Sequence, residues 1–230
     1  SCENIELPDK NAYVLTEIAW TVFSSTDMIL LSILFSTALS SVYSVYNLVY
    51  SNISGLMNSV YTSLIYLLGQ AYSESLRKYE QVHDEFELMF MTGAAILMSC
   101  CSVLGVAFVR LYTKGVTDTN YIYVYLPILF GLIQILSWNR YVSGNLSGIA
   151  GYAKIVSKIS VIEAVSNIVL SVILAPKMGL YGITLATVIS LVFKLVYLTY
   201  LGNVVILKRS VRKSCAKIIA YLALYFSISF

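Results

Sequence analysis

Hydrophobic and polar positions along this chain alternate in long blocks, with apolar stretches separated by short polar connectors. The stretches cover residues 12–36, 42–69, 87–111, 121–142, 155–175 and 179–201, and another begins at 216. A bilayer core of about 30 Å is crossed by about 20 apolar residues of α-helix, so each complete stretch is long enough to span. A soluble core does not call for so many such stretches in 230 residues. The pattern predicts an all-α fold, a polytopic transmembrane helical bundle with six complete spans and a truncated seventh. Composition agrees, with 58% hydrophobic and 12% charged residues and a mean hydropathy of +0.78. Membrane lipids are therefore expected partners and nucleic acid is not.

The predicted organisation is a linker at 1–11, a six-helix lobe at 12–201, a basic loop at 202–215 and the start of a further span at 216–230. The chain begins Ser1-Cys2-Glu3 and stops inside an apolar run at Phe230. It reads as a fragment of something longer, and no basic segment followed by a short apolar stretch marks a signal peptide.

Charge orients the lobe. Of the 15 basic residues, 12 fall on alternate connectors or span ends: Lys10, Arg77, Lys78, Arg140, Lys154, Lys158, Lys194, Lys208, Arg209, Arg212, Lys213 and Lys217. Only Arg110, Lys114 and Lys177 fall on the other set. Basic residues accumulate on the cytoplasmic side. The N-terminal segment and the connectors 70–86, 143–154 and 202–215 are thus expected inside, and those near 37–41, 112–120 and 176–178 outside. The outer connectors are too short to carry a catalytic domain, so no enzyme is expected.

Polar side chains inside spans are costly unless they face protein or water, and their spacing reports the wet face of each helix. Glu17, Thr21, Ser24 and Asp27 recur at 4, 3 and 3 in the first stretch. Glu17 and Asp27 are about 15 Å apart along the axis, which puts Asp27 near mid-membrane with no basic residue within a turn. Asn47, Ser51, Ser54, Asn58 and Tyr61 recur at 4, 3, 4 and 3 in the second stretch, with Leu48, Val49, Ile53, Leu56 and Val60 opposite. Gln134, Trp138 and Tyr141 lie in the fourth stretch, with Arg140 at its inner end. Lys158, Glu163, Asn167 and Ser171 lie in the fifth, and Thr184, Thr187, Ser190 and Lys194 in the sixth. Lys158 stands near i,i+4 to Glu163, so a local ion pair and a role towards substrate are both open. Lys158 and Lys194 are placed to snorkel towards the inner surface. The third stretch carries only Thr92, Ser99 and Ser102, which predicts a peripheral, lipid-facing helix. Cys2, Cys100, Cys101 and Cys215 show no spacing for a disulfide or a metal. The single histidine, His83, is expected solvated in a charged loop.

Ser25-Thr26-Asp27-Met28-Ile29-Leu30-Leu31-Ser32 followed by Val42-Tyr43-Ser44-Val45-Tyr46 resembles the seventh and eighth helices of bacterial polysaccharide and O-antigen lipid flippases. Their superfamily also contains multidrug and toxin extruders. Glu163-Ala164-Val165-Ser166-Asn167, then Pro176-Lys177-Met178-Gly179-Leu180-Tyr181-Gly182-Ile183-Thr184, is similar to a second arrangement of that family. Gly179 and Gly182 there permit a tight turn and close approach of two antiparallel helices. The resemblance covers about residues 12–201 and looks most like the polysaccharide branch.

The resemblance implies the C-terminal lobe of a two-lobe transporter in the bacterial cytoplasmic membrane. The partners it implies are an N-terminal lobe of the same protein and a lipid-linked oligosaccharide of the undecaprenyl-pyrophosphate type. It implies alternating access and no cofactor beyond sodium or proton coupling. The expected cavity residues are Glu17, Thr21, Ser24, Asp27, Asn47, Ser51, Ser54, Asn58, Arg140, Lys158, Glu163 and Asn167. Arg140, Lys154 and Lys158 would attract pyrophosphate at the inner mouth. The alternatives are a drug or cation antiporter of the same superfamily, which an acidic cavity would favour; a membrane polymerase or ligase of the polysaccharide pathway; and a non-transporting scaffold.

Overall fold

The computed structural model describes residues 10–230. Cys2 and most of the expected 1–11 linker lie outside the described residues. The described chain is helical throughout its regular structure: α1 (Lys10–Leu34), α2 (Thr37–Glu74), α3 (Leu76–Tyr112), α4 (Leu126–Ile149), α5 (Ala153–Met178), α6 (Leu180–Tyr200) and α7 (Arg212–Ser229), with a π-helical stretch at Leu201–Ile206. Four of these pieces are long and apolar enough to cross a membrane: α1, α3, α5 and α6 extended through Ile206. Helices α2 and α4 match them in length but carry polar faces. Helix α7 opens with Arg212, Lys213 and Lys217 within its first six residues.

The helix ends depart from the apolar blocks for a local reason. Residues 70–86, expected as a connector, are helical except at Ser75. That residue is extended (φ −170°), and its hydroxyl accepts from the Lys78 N–H at 3.1 Å. Hydropathy marks where a bilayer could begin, whereas capping and helix-forming residues decide where the helix stops. Gly151 (φ +82°) breaks α4 from α5. Gly179 sits at φ +59°, ψ −133°, a conformation essentially confined to glycine, between α5 and α6. A Cβ on Gly182 would lie 2.5 Å from the Leu174 carbonyl oxygen, so the α5–α6 hairpin closes only on glycine.

Helix α5 packs between α1 and α6. Helix α4 packs on α6 and α3, and α3 packs on α2, α4 and α7. This narrows the expectation that the third stretch is peripheral: one side of α3 is packed and the other is exposed. Met91, Ala95, Met98, Ser99 and Val109 of α3 are all fully buried. The other side of α3 is an exposed apolar face that includes Leu88, Met89, Leu97, Val103, Leu104 and Leu111. On the packed side, small residues such as Ala94, Ala95, Ser99 and Gly105 let other helices approach; a Cβ on Gly105 would meet Pro127 of α4 at 2.8 Å.

The core is unusually aromatic. Phe130 of α4 packs against Tyr43, Tyr46 and Tyr50 of α2 with ring centroids 4.9, 6.2 and 5.7 Å away. The hydroxyls find backbone acceptors: Tyr50 donates to the Pro127 carbonyl at 2.7 Å, Tyr46 to that of Tyr121 at 2.9 Å, and Tyr225 of α7 to that of Ile128 at 2.7 Å. These three tyrosines thereby fill volume and hold the start of α4 without leaving their own hydroxyls unpaired.

At the opposite end of the bundle, the basic 202–215 segment meets the start of α3. Arg209 and Lys217 reach Asp84 at 3.4 and 3.0 Å, and Lys217 reaches Glu87 at 2.7 Å. His83 corrects another expectation. It is buried on α3 rather than solvated in a loop, and its Nε2 lies 3.2 Å from the Val142 carbonyl.

Candidate functional site

A cavity of about 370 Å³ opens between α1, α2 and α4, with α6 behind it. Its α2 wall is the predicted polar stripe: Asn47, Ser51, Ser54 and Asn58, with Gly55 between them. The 4-3-4-3 spacing keeps these residues on one helical face. On α2, Leu48, Leu56 and Val60 are exposed, while Val49 and Ile53 pack towards the core.

Helix α4 supplies Ile133, Gln134, Ser137, Trp138 and Tyr141. The two walls are stitched by hydrogen bonds. Ser54 donates to Gln134 Oε1 at 2.6 Å and accepts from the Trp138 indole N–H at 3.0 Å.

Helix α1 contributes Trp20, Phe23, Ser24 and Asp27. Ser24 and Asp27 were expected here. Glu17 and Thr21 were also expected but are exposed and do not line the cavity. The physical reason is the helical period. Ten residues at about 100° each leave Glu17 roughly 80° away from Asp27 around the axis, so the acidic stripe drifts off the cavity face. Trp20, Phe23 and Ser137 are lining residues that the polar-stripe argument passed over, and Thr187, noted on the sixth stretch, lines the cavity without having been among the expected cavity residues. Trp20 and Phe23 lie on the face of Asp27 at i−7 and i−4, a spacing that could have found them.

Asp27 is 3% exposed and reaches no cation among the described residues. Its Oδ2 accepts from the Tyr43 hydroxyl at 2.9 Å and from Thr187 Oγ1 at 2.8 Å, joining α1 to α2 and α6. Asn167 of α5 donates its amide to the same Thr187 oxygen at 3.0 Å. Asp27 Oδ1 and Asn167 Oδ1 are buried with no hydrogen-bond donor among the described residues. Asp27 is the only charged residue among those lining the cavity.

A second polar cluster lies behind the aromatic wall. Glu163 of α5 bridges Arg140 of α4 (Nη1 to Oε1, 2.6 Å) and Lys194 of α6 (Nζ to Oε2, 2.7 Å), and Lys194 also donates to Ser160 at 2.9 Å. All three charged side chains are more than nine-tenths buried. The Arg140 guanidinium lies 4.8 Å from the ring centres of both Trp20 and Tyr141, a cation–π arrangement. Three expectations change here. Arg140 is not an open phosphate contact at the inner mouth. Glu163 pairs with Arg140 and Lys194 rather than with Lys158, which is exposed on the far side of α5. Lys194 is locked in an ion cluster rather than snorkelling. The i,i+4 reading failed because partners on other helices, 23 and 31 residues away, compete better for the carboxylate.

Comparison of the chain with protein-family models, with curated proteins and with solved structures finds no match. The chemistry of the site rests on its own residues. Aromatic faces, amides and hydroxyls surround one buried carboxylate, an environment suited to neutral polar solutes and small cations.

Proposed function

We propose that this chain forms one lobe of a membrane transporter that moves a lipid-linked oligosaccharide across the bacterial cytoplasmic membrane by alternating access. In this reading α2 and α4 are spans as well, so the lobe has six, and a second lobe of the same protein completes the cavity. One observation carries the proposal: a cavity walled by Trp20, Trp138 and Tyr141 and by Asn47, Ser51, Ser54, Asn58 and Gln134. Sugars present hydroxyls and C–H faces. Amides and hydroxyls match the first, and aromatic rings match the second. A wet face on α2 is tolerable within a membrane only against protein or water. The pyrophosphate would be met outside this cavity, on the second lobe.

A second reading, a cation-coupled drug antiporter, is favoured by Asp27 being the one charged lining residue. Both readings assign coupling to Asp27. Its Oδ1 and the Asn167 Oδ1 are a pair of hard oxygen donors that suit a sodium ion or a proton.

Cysteine substitution tests the cavity and its occupant together. Cysteines at Ser51 and Asn58 are expected to react with a water-soluble thiol reagent, and added lipid-linked oligosaccharide is expected to slow that reaction. Cysteines at Leu56 and Val60 are expected to stay unreactive. Protection by a lipophilic cation, with none by the oligosaccharide, selects the antiporter.

A further inference from the structure

The inner end of α3 carries chemistry that transport through the cavity does not use. His83 and Glu87 are one helical turn apart and share a face, and Asp84 adjoins them. One ring nitrogen of His83, one Asp84 carboxylate oxygen and one Glu87 carboxylate oxygen lie within 4.8 Å of one another. Lys217 of α7 reaches across both acids, with Nζ 3.0 Å from Asp84 Oδ1 and 2.7 Å from Glu87 Oε2, and Arg209 lies 3.4 Å from the same Asp84 Oδ1.

The histidine is arranged as a ligand would be. Its Nε2 lies 3.2 Å from the Val142 carbonyl. A carbonyl can only accept, so that nitrogen carries a proton, and in the neutral imidazole Nδ1 is the nitrogen with the lone pair. Metal-bound histidines are commonly oriented by this same bond from the other ring nitrogen to a carbonyl. The residue is 7% exposed, and its Nδ1 has no hydrogen-bond partner among the described residues. It points towards the acids, 3.8 Å from Asp84 Oδ1. Tyr79, stacked on the imidazole at 5.4 Å, also has a buried hydroxyl without a partner. A cavity of about 20 Å³ adjoins His83 and Glu87, enough for one water-sized or ion-sized occupant.

We propose that His83 Nδ1, Asp84 Oδ1 and Glu87 Oε2 form a site for one divalent transition-metal ion of the zinc class, with the Lys217 ammonium holding the carboxylates as its competitor. Imidazole nitrogen and carboxylate oxygen are both ligand types that such an ion accepts, and solvent can supply a fourth ligand beside three from the protein. Bonds of about 2.1 Å place two ligands at most about 4.2 Å apart, so small carboxylate rotations close the set. Because Lys217 belongs to α7 and the three ligands to α3, metal binding releases α7 from its ion pairs with α3. The site thereby couples metal to the packing of the last helix.

The test is a titration of the tag-free protein in detergent micelles with Co²⁺, read by its visible ligand-field absorption. His83 is the only histidine in the chain, so an imidazole-bound ion can have one origin. Saturation at one ion per chain is expected. His83→Gln keeps an amide N–H for the Val142 carbonyl and removes the ring lone pair; it is expected to weaken binding at least about tenfold. Lys217→Met removes the competing ammonium and is expected to tighten binding by about tenfold. Equal affinity of His83→Gln and wild type, a spectrum of thiolate ligation alone, or no binding by either wild type or Lys217→Met overturns the proposal.

Discussion

Replacing Glu163 with Gln is expected to lower stability by about 4 kcal/mol, the range for stranding buried charges. Glu163 is the one carboxylate between the Arg140 guanidinium and the Lys194 ammonium, and all three are buried. Without it, two cations face each other across a site that excludes water. The pair-wise attraction is lost and the desolvation cost of both cations remains. Thermal unfolding in detergent, followed by intrinsic tryptophan fluorescence, measures the effect. Adding Lys194→Met to Glu163→Gln removes one stranded cation and is expected to recover a substantial part of the loss. If the double variant is no more stable than Glu163→Gln alone, the cluster does not act through its charge.

The second large effect is on transport. Asp27→Asn is expected to abolish oligosaccharide export while leaving the folded protein in the membrane at its normal amount. The substitution is nearly isosteric, and an asparagine carbonyl can still accept from Tyr43 and Thr187, the two groups now bonded to Asp27 Oδ2. The hydrogen bonds that join α1 to α2 and α6 thus survive. What disappears is a buried charge that can be gained and lost, or can hold a cation. The measurement is export of lipid-linked oligosaccharide in cells making matched amounts of full-length wild-type and variant protein. Normal export removes Asp27 from the coupling site, and loss of the protein itself assigns Asp27 a purely structural role.

Much of this arrangement is legible in the sequence, and the reasons differ from element to element. Asn47, Ser51, Ser54 and Asn58 were readable as a cavity wall because four positions over three turns keep phase with the helix. Asp27 was readable because a lone deep carboxylate is too costly to face lipid. Glu17 and Thr21 were misread because a run of 4, 3 and 3 falls behind the 3.6-residue period, and the error accumulates with distance. The ion cluster was not legible. Arg140, Glu163 and Lys194 come from three helices, and only packing brings them to one point. The packed side of α3 was not legible either, since apolar faces towards lipid and towards other helices have similar hydropathy. His83 was misplaced because its charged neighbours resemble a loop. The Ser75 cap is local and invisible to hydropathy, yet it makes the same residues helical.

The central claim is that the space between α1, α2 and α4 is the translocation path. Gly55 allows a direct test, because it lines that space and a Cβ built on it meets nothing within 4 Å. Gly55→Phe therefore places a ring into the cavity without pushing on the backbone of a neighbour, and removing a mid-helix glycine does not weaken α2. Full-length protein carrying this substitution, reconstituted into liposomes, is assayed for transfer of lipid-linked oligosaccharide between leaflets beside Gly55→Ala. The account predicts transfer near wild type for Gly55→Ala and none for Gly55→Phe at equal thermal stability. Undiminished transfer by Gly55→Phe would contradict it.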